Sequence, residues 1–182
     1  MIESVLEDTR RNLSEIDISR IIVDDPTNAA QIRGRIAERY VYEWLQRSGF
    51  LFDTDFPRDA GKYRLVSTNG GVLILDGKEQ EHEFDFLGEY HGEFFSVEVK
   101  SQRLNGFKSK IDRALRVADE IYQTETQLLL FFPMYGVKVK DAKKIEAEHN
   151  RVRCIDISFK KKQLKRAEDR YHRFLLPKSS YF

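Results

Sequence analysis

Asp85, Glu98 and Lys100 are the residues of this chain whose types and spacing offer chemistry. Two acidic groups placed together repel each other unless a cation neutralises them. A hard divalent ion such as Mg²⁺, with Mn²⁺ able to substitute, binds carboxylate oxygens while keeping positions for water and phosphate. Lys100, two residues beyond Glu98, shares its strand face and adds positive charge beside the water and the scissile phosphate. The outline is that of a hydrolytic site.

The elements that would bring these residues together are two arms with period-2 alternation, the mark of half-buried β-strands. Phe84 and Phe86 are expected on one face of the first arm, with Glu83, Asp85 and Leu87 on the other. In the second arm Val97 and Val99 face one way, Glu98 and Lys100 the opposite way. His91-Gly92 reads as a two-residue hairpin turn, because Gly supplies a positive φ and His tolerates one. Tyr90 then opposes Glu93, Glu89 opposes Phe94, and counting outward sets Asp85 opposite Glu98. Two further acid-x-Lys sequences compete with this one. Asp76-Gly77-Lys78 reads as a turn and Asp141-Ala142-Lys143 as part of a polar helix, so neither lies in an apolar strand. The plainer reading of the hairpin is a solvated face with an ordinary Glu/Lys pair.

With an Asp on one strand and Glu-x-Lys on the next, the chain resembles the PD-(D/E)xK nuclease superfamily over roughly residues 31–133. Asp85, Glu98 and Lys100 match its motif, while Phe84 stands where the usual Pro would be. The pattern is most similar to the archaeal Holliday junction resolvases, which also place a Glu on an N-terminal helix. The resemblance implies an α/β, restriction-endonuclease-like fold: a mixed central β-sheet flanked by helices. It also implies Mg²⁺-dependent endonuclease activity on DNA, with Asp85, Glu98, Val99 and Glu38 as metal ligands. Glu38 is the helical carboxylate of that set. Ser101 or Gln102, in the polar loop after the motif, would orient the lysine or the water.

Glu38 belongs to a helix that the sequence brackets between Asp25-Pro26, an N-cap residue followed by Pro, and Gly49. Ile36, Ala37, Tyr40, Val41, Trp44 and Leu45 form its apolar stripe, and Glu38 stands at the margin of that face. Its plainer reading is a helix-edge Glu paired with a neighbouring Arg. Beyond this helix come a short strand-like run with a polar loop at 57–62, then a hairpin over 63–75 turning at Asn69-Gly70-Gly71 and expected to join the same sheet. His82 reads first as a surface His, with a ligand or a substrate contact as the alternatives. A helix starting near Lys108 has Ile111, Leu115, Ala118 and Ile121 or Tyr122 as its stripe, and 127–132 is a central strand buried on both faces. Strand, helix, strand implies a crossover and a parallel pair. A polar helix at 141–149, a strand at 152–157 and a basic helix capped by Ser158 follow.

Basic positions Arg33, Arg35, Lys108, Lys110, Arg113, Lys161 and Lys165 are the candidate phosphate contacts; the commoner reading of such positions is a solvated helix face. The net charge of +1, from 31 basic and 30 acidic residues, does not decide between these. A chain of 182 residues reads as one nuclease-like domain, core about 26–133 with a C-terminal extension at 134–182. Hydrophobic residues at 41% and aromatics at 12% argue for a folded globule. One cysteine, Cys154, suits a reducing, cytoplasmic setting and reads as a buried filler. No apolar run approaches the ~20 residues of a membrane span. The expected partner is DNA, branched DNA included, cut by a homodimer. The alternatives are a restriction-type or DNA-repair nuclease, a non-catalytic nucleic-acid-binding protein, and an assembly protein using the apolar N-terminal segment.

Overall fold

The computed structural model of the chain describes residues 29–68, 71–100, 108–133 and 137–156. Helix α1 (Ala29–Arg47) forms on the expected stripe, and Ile36, Ala37, Val41, Trp44 and Leu45 are buried. It stops as a Gly-terminated helix should: Gly49, at φ 85°, donates to Gln46 O and Phe50 donates back to Leu45 O, satisfying carbonyls that the helix leaves open. The proposed Asp25-Pro26 start, the N-terminal apolar segment and the basic helix after Ser158 lie outside the described residues.

Nine strands and two further helices complete the described chain. The strands are β1 (Leu51–Phe52), β2 (Arg58–Ala60), β3 (Tyr63–Thr68), β4 (Gly71–Asp76), β5 (Glu79–Phe84), β6 (Phe86–Tyr90), β7 (Glu93–Val99), β8 (Gln127–Phe131) and β9 (Val152–Ile155), with α2 (Lys108–Tyr122) before β8 and α3 (Val139–Glu148) before β9. A mixed sheet runs in the order β1-β6-β7-β8-β9, antiparallel through β7 and parallel from β7 to β9. The fold is therefore α/β with a mixed central sheet and flanking helices. Among the described residues no helix is long and apolar enough to cross a membrane.

The apolar run of β8 supplies two cores. Leu129 and Phe131 point to α1, where Phe131 meets Trp44 edge-on at 5.2 Å; Leu128 and Leu130 point to Ile111, Leu115 and Ala118 of α2. Alternate burial on both faces is why every residue of this strand after Gln127 is apolar.

Three expectations fail. The hairpin β3–β4 does not join the central sheet: β2, β3, β4 and β5 form a separate antiparallel sheet packed on the α2 side. The polar loop expected at 57–62 also contains a strand, β2. The two sheets part at Asp85, which sits in a bend between β5 and β6. Phe84 consequently enters the α2 core and Phe86 packs against the α1 core, whereas uninterrupted alternation would have set both on one face. A period-2 pattern assumes a continuous strand, and the bend resets it.

Candidate functional site

The β6–β7 hairpin fixes the register. His91 and Gly92 both have positive φ, 50° and 81°, as a two-residue primed turn requires. Pairing then runs Tyr90↔Glu93, Glu89↔Phe94, Gly88↔Phe95, Leu87↔Ser96 and Phe86↔Val97. One step further lie Asp85 and Glu98. Oδ2 of Asp85 accepts the backbone N–H of Val99 at 2.5 Å, closing the bend against β7.

Val97 and Val99 face α1, so Glu98 turns to the opposite side of the sheet and is 7% exposed there. Its Oε2 accepts from Lys100 Nζ at 2.6 Å and its Oε1 bonds His82 Nε2 at 2.9 Å. The backbone N–H of Lys100 donates to Phe131 O at 2.7 Å, which anchors the lysine just past the end of β7.

The electrostatics of the two carboxylates diverge. Burial drives the Asp85 carboxyl well above its ordinary range, the Glu98 charge adds to this, and the Val99 N–H opposes it. Burial works against the Glu98 carboxylate as well, but the His82 hydrogen bond and Lys100 outweigh it and hold Glu98 below its ordinary value. Asp85 is therefore the member of the pair at which a bound proton, or another cation, is favoured.

Glu38 contributes to that preference. Its carboxylate raises Asp85 further through space. Burial pushes Glu38 itself upward while Arg35, whose Nη1 lies 2.9 Å from Oε2, pulls it back. The helix-edge ion pair and the position beside the acidic site thus coexist.

No family model, no curated protein and no solved structure matches this chain.

Of the remaining candidates, Arg33 lies on α1 and Lys108 opens α2, where Lys110 is exposed. Arg113 meets Glu81 through both Nε and Nη2, at 3.2 and 3.1 Å, and Arg116 also bonds Glu81, at 2.8 Å. Those two arginines hold the half-buried Glu81 carboxyl down to about 2. Ser101, Gln102, Lys161 and Lys165 lie outside the described residues. Cys154 is a thiol, since burial and then Glu146 push it up to about 12.

His82 is the residue that sequence reading undervalued. Its side chain is 9% exposed, not a surface group, and its ring lies 4.3 Å from that of Phe84. The available signal was parity: on one strand, His82 faces the same way as the apolar Phe84.

Among the described residues no group of three or more His, Cys, Asp or Glu is arranged to hold a metal ion. The donors nevertheless suit a hard dication in kind. Asp85 and Glu98 are oxygen donors, and the repulsion between their charges is what a dication would relieve.

Proposed function

We propose that this protein is a metal-dependent DNA endonuclease with a restriction-endonuclease-like fold, of the PD-(D/E)xK type. The observation that carries the reading is the convergence of Asp85, Glu98 and Lys100 at the end of the β6–β7 hairpin, with Glu98 buried, Asp85 half-buried and Lys100 bonded to Glu98. Asp85, Glu98 and the Val99 carbonyl would hold Mg²⁺ or Mn²⁺, with Glu38 completing the oxygen set. When bound, the ion supplies Lewis acidity and neutralises charge. The lysine ammonium orients the attacking water and offsets the charge that builds on the phosphate. The N–H of Val99 holds Asp85 towards the site. No covalent enzyme intermediate is required.

The substrate we favour is branched DNA cut by a symmetric dimer, as the resemblance to junction resolvases implies. A restriction-type or repair nuclease would use the same residues on linear DNA. Purified protein incubated with a four-way junction, a matched duplex and single-stranded DNA, in Mg²⁺, Mn²⁺ or chelator, separates these. Metal-dependent junction cutting is expected. Salt-sensitive binding without any cutting would replace the enzyme with a nucleic-acid-binding protein.

A further inference from the structure

We infer that His82 is a positioning residue for Glu98, an inference that rests on the nuclease reading and deepens it. The two residues belong to different sheets. His82 lies on β5 of the antiparallel sheet and Glu98 on β7 of the central one, and their side chains meet at 2.9 Å.

A local irregularity delivers the histidine. Pairing between β4 and β5 runs Ile74↔His82 and then Leu75↔Gln80, which leaves Glu81 as an extra residue. Such a bulge re-aims the side chains beside it. Glu81 reaches Arg113 and Arg116 of α2, while His82, opposite the buried Ile74, turns inward against Phe84 and reaches Glu98.

The hydrogen bond has one direction. An ionised carboxylate only accepts, so Nε2 of His82 carries the hydrogen and donates to Oε1. Glu98 has three side-chain torsions, and its other oxygen is held by Lys100, a flexible four-carbon side chain. Both side chains are equally buried, but the imidazole has only two torsions and packs against the Phe84 ring, so it is the more rigid member of the pair. His82 therefore fixes the orientation of the Glu98 carboxylate, and the second sheet sets the aim of a ligand on the first. Partners that orient a metal ligand are worth about 10- to 100-fold in metal affinity or activity.

The test uses the full chain and three variants: His82→Phe, which keeps an aromatic ring without a donor, His82→Gln, which keeps an N–H donor, and His82→Ala. Mn²⁺ binding is measured directly by electron paramagnetic resonance, alongside melting in chelator and Mn²⁺-dependent cleavage. The expected result is Mn²⁺ affinity roughly 10- to 100-fold weaker in His82→Phe and His82→Ala, with His82→Gln within a few-fold of wild type. If His82→Phe does not fold, the contrast between the Ala and Gln variants decides. Wild-type protein that neither binds Mn²⁺ nor cleaves DNA would remove the nuclease reading and this inference with it. Wild-type binding that all three variants retain would overturn the positioning role alone. So would equal loss in the Ala and Gln variants, because the donor would then not be what matters.

Discussion

The backbone N–H of Val99 donates to Oδ2 of Asp85 at 2.5 Å, so the bend that separates the two sheets is tied to the strand carrying Glu98 and Lys100. An Asp85→Asn side chain can still accept this bond through its carbonyl oxygen, but it loses the charge. The variant is expected to fold and to lose metal-dependent cleavage by about 10²- to 10³-fold or more, as removal of several kcal/mol of charge stabilisation implies. Lys100→Ala should lose a comparable factor. Cleavage kinetics on whichever DNA the wild type cuts would check both, and full activity in either variant would remove it from the site.

Asp85 also sets a pH dependence of stability in metal-free protein. Its carboxyl titrates above the unfolded value of 3.8, so its favourable contribution is complete below that pH and is lost as pH rises through the folded value. Glu98 works in the opposite sense, because its carboxyl is held below 4.5 and its contribution is lost only as pH falls through the lower folded value. In chelator, Asp85→Asn is therefore expected to melt above wild type at pH 8, with the gap closing towards pH 4. Each pH unit separating the two titrations corresponds to about 1.4 kcal/mol. Melting curves across this range would check the sign, and a wild type that gains stability relative to the variant as pH rises would refute it.

Gly88 sits on β6 opposite Phe52, where a Cβ would come within 2.3 Å of Leu51 O and 2.4 Å of the Phe50 ring. The backbone atom cannot move aside without separating β1 from the sheet. Gly88→Ala is expected to cost about 1–3 kcal/mol or more, a fall of several degrees in melting temperature for a chain of this size. A melting temperature equal to wild type would show that the close approach is not needed.

Glu81 engages Arg113 and Arg116, two cations that α2 would otherwise offer to phosphate. If this face meets DNA, Glu81→Gln should tighten binding and steepen its salt dependence, while Arg113→Ala should weaken binding and reduce the salt slope by about one. Titrations of labelled DNA at several salt concentrations would decide, and insensitivity to both changes would take α2 off the binding surface.

Local chemistry determined the parts of this protein that depend on near neighbours in sequence. The His91-Gly92 turn and the alternation beside it set the register from Tyr90↔Glu93 to Phe86↔Val97, and with it the approach of Asp85 to the Glu98 strand. The three- and four-residue spacing in α1 and α2 gave their buried faces, and the unbroken apolar run gave β8 as the strand shared by two cores. Tertiary structure decided where the pattern breaks. The bend at Asp85 sends Phe84 and Phe86 into different cores, and the bulge at Glu81 aims His82 across the gap between sheets at Glu98. Strand period is blind to both, because a bend or an extra residue changes side-chain direction without changing residue type. The meeting of His82 with Glu98, like that of Glu81 with Arg113, depends on how separate elements pack, and packing is set by the whole chain rather than by any window of it.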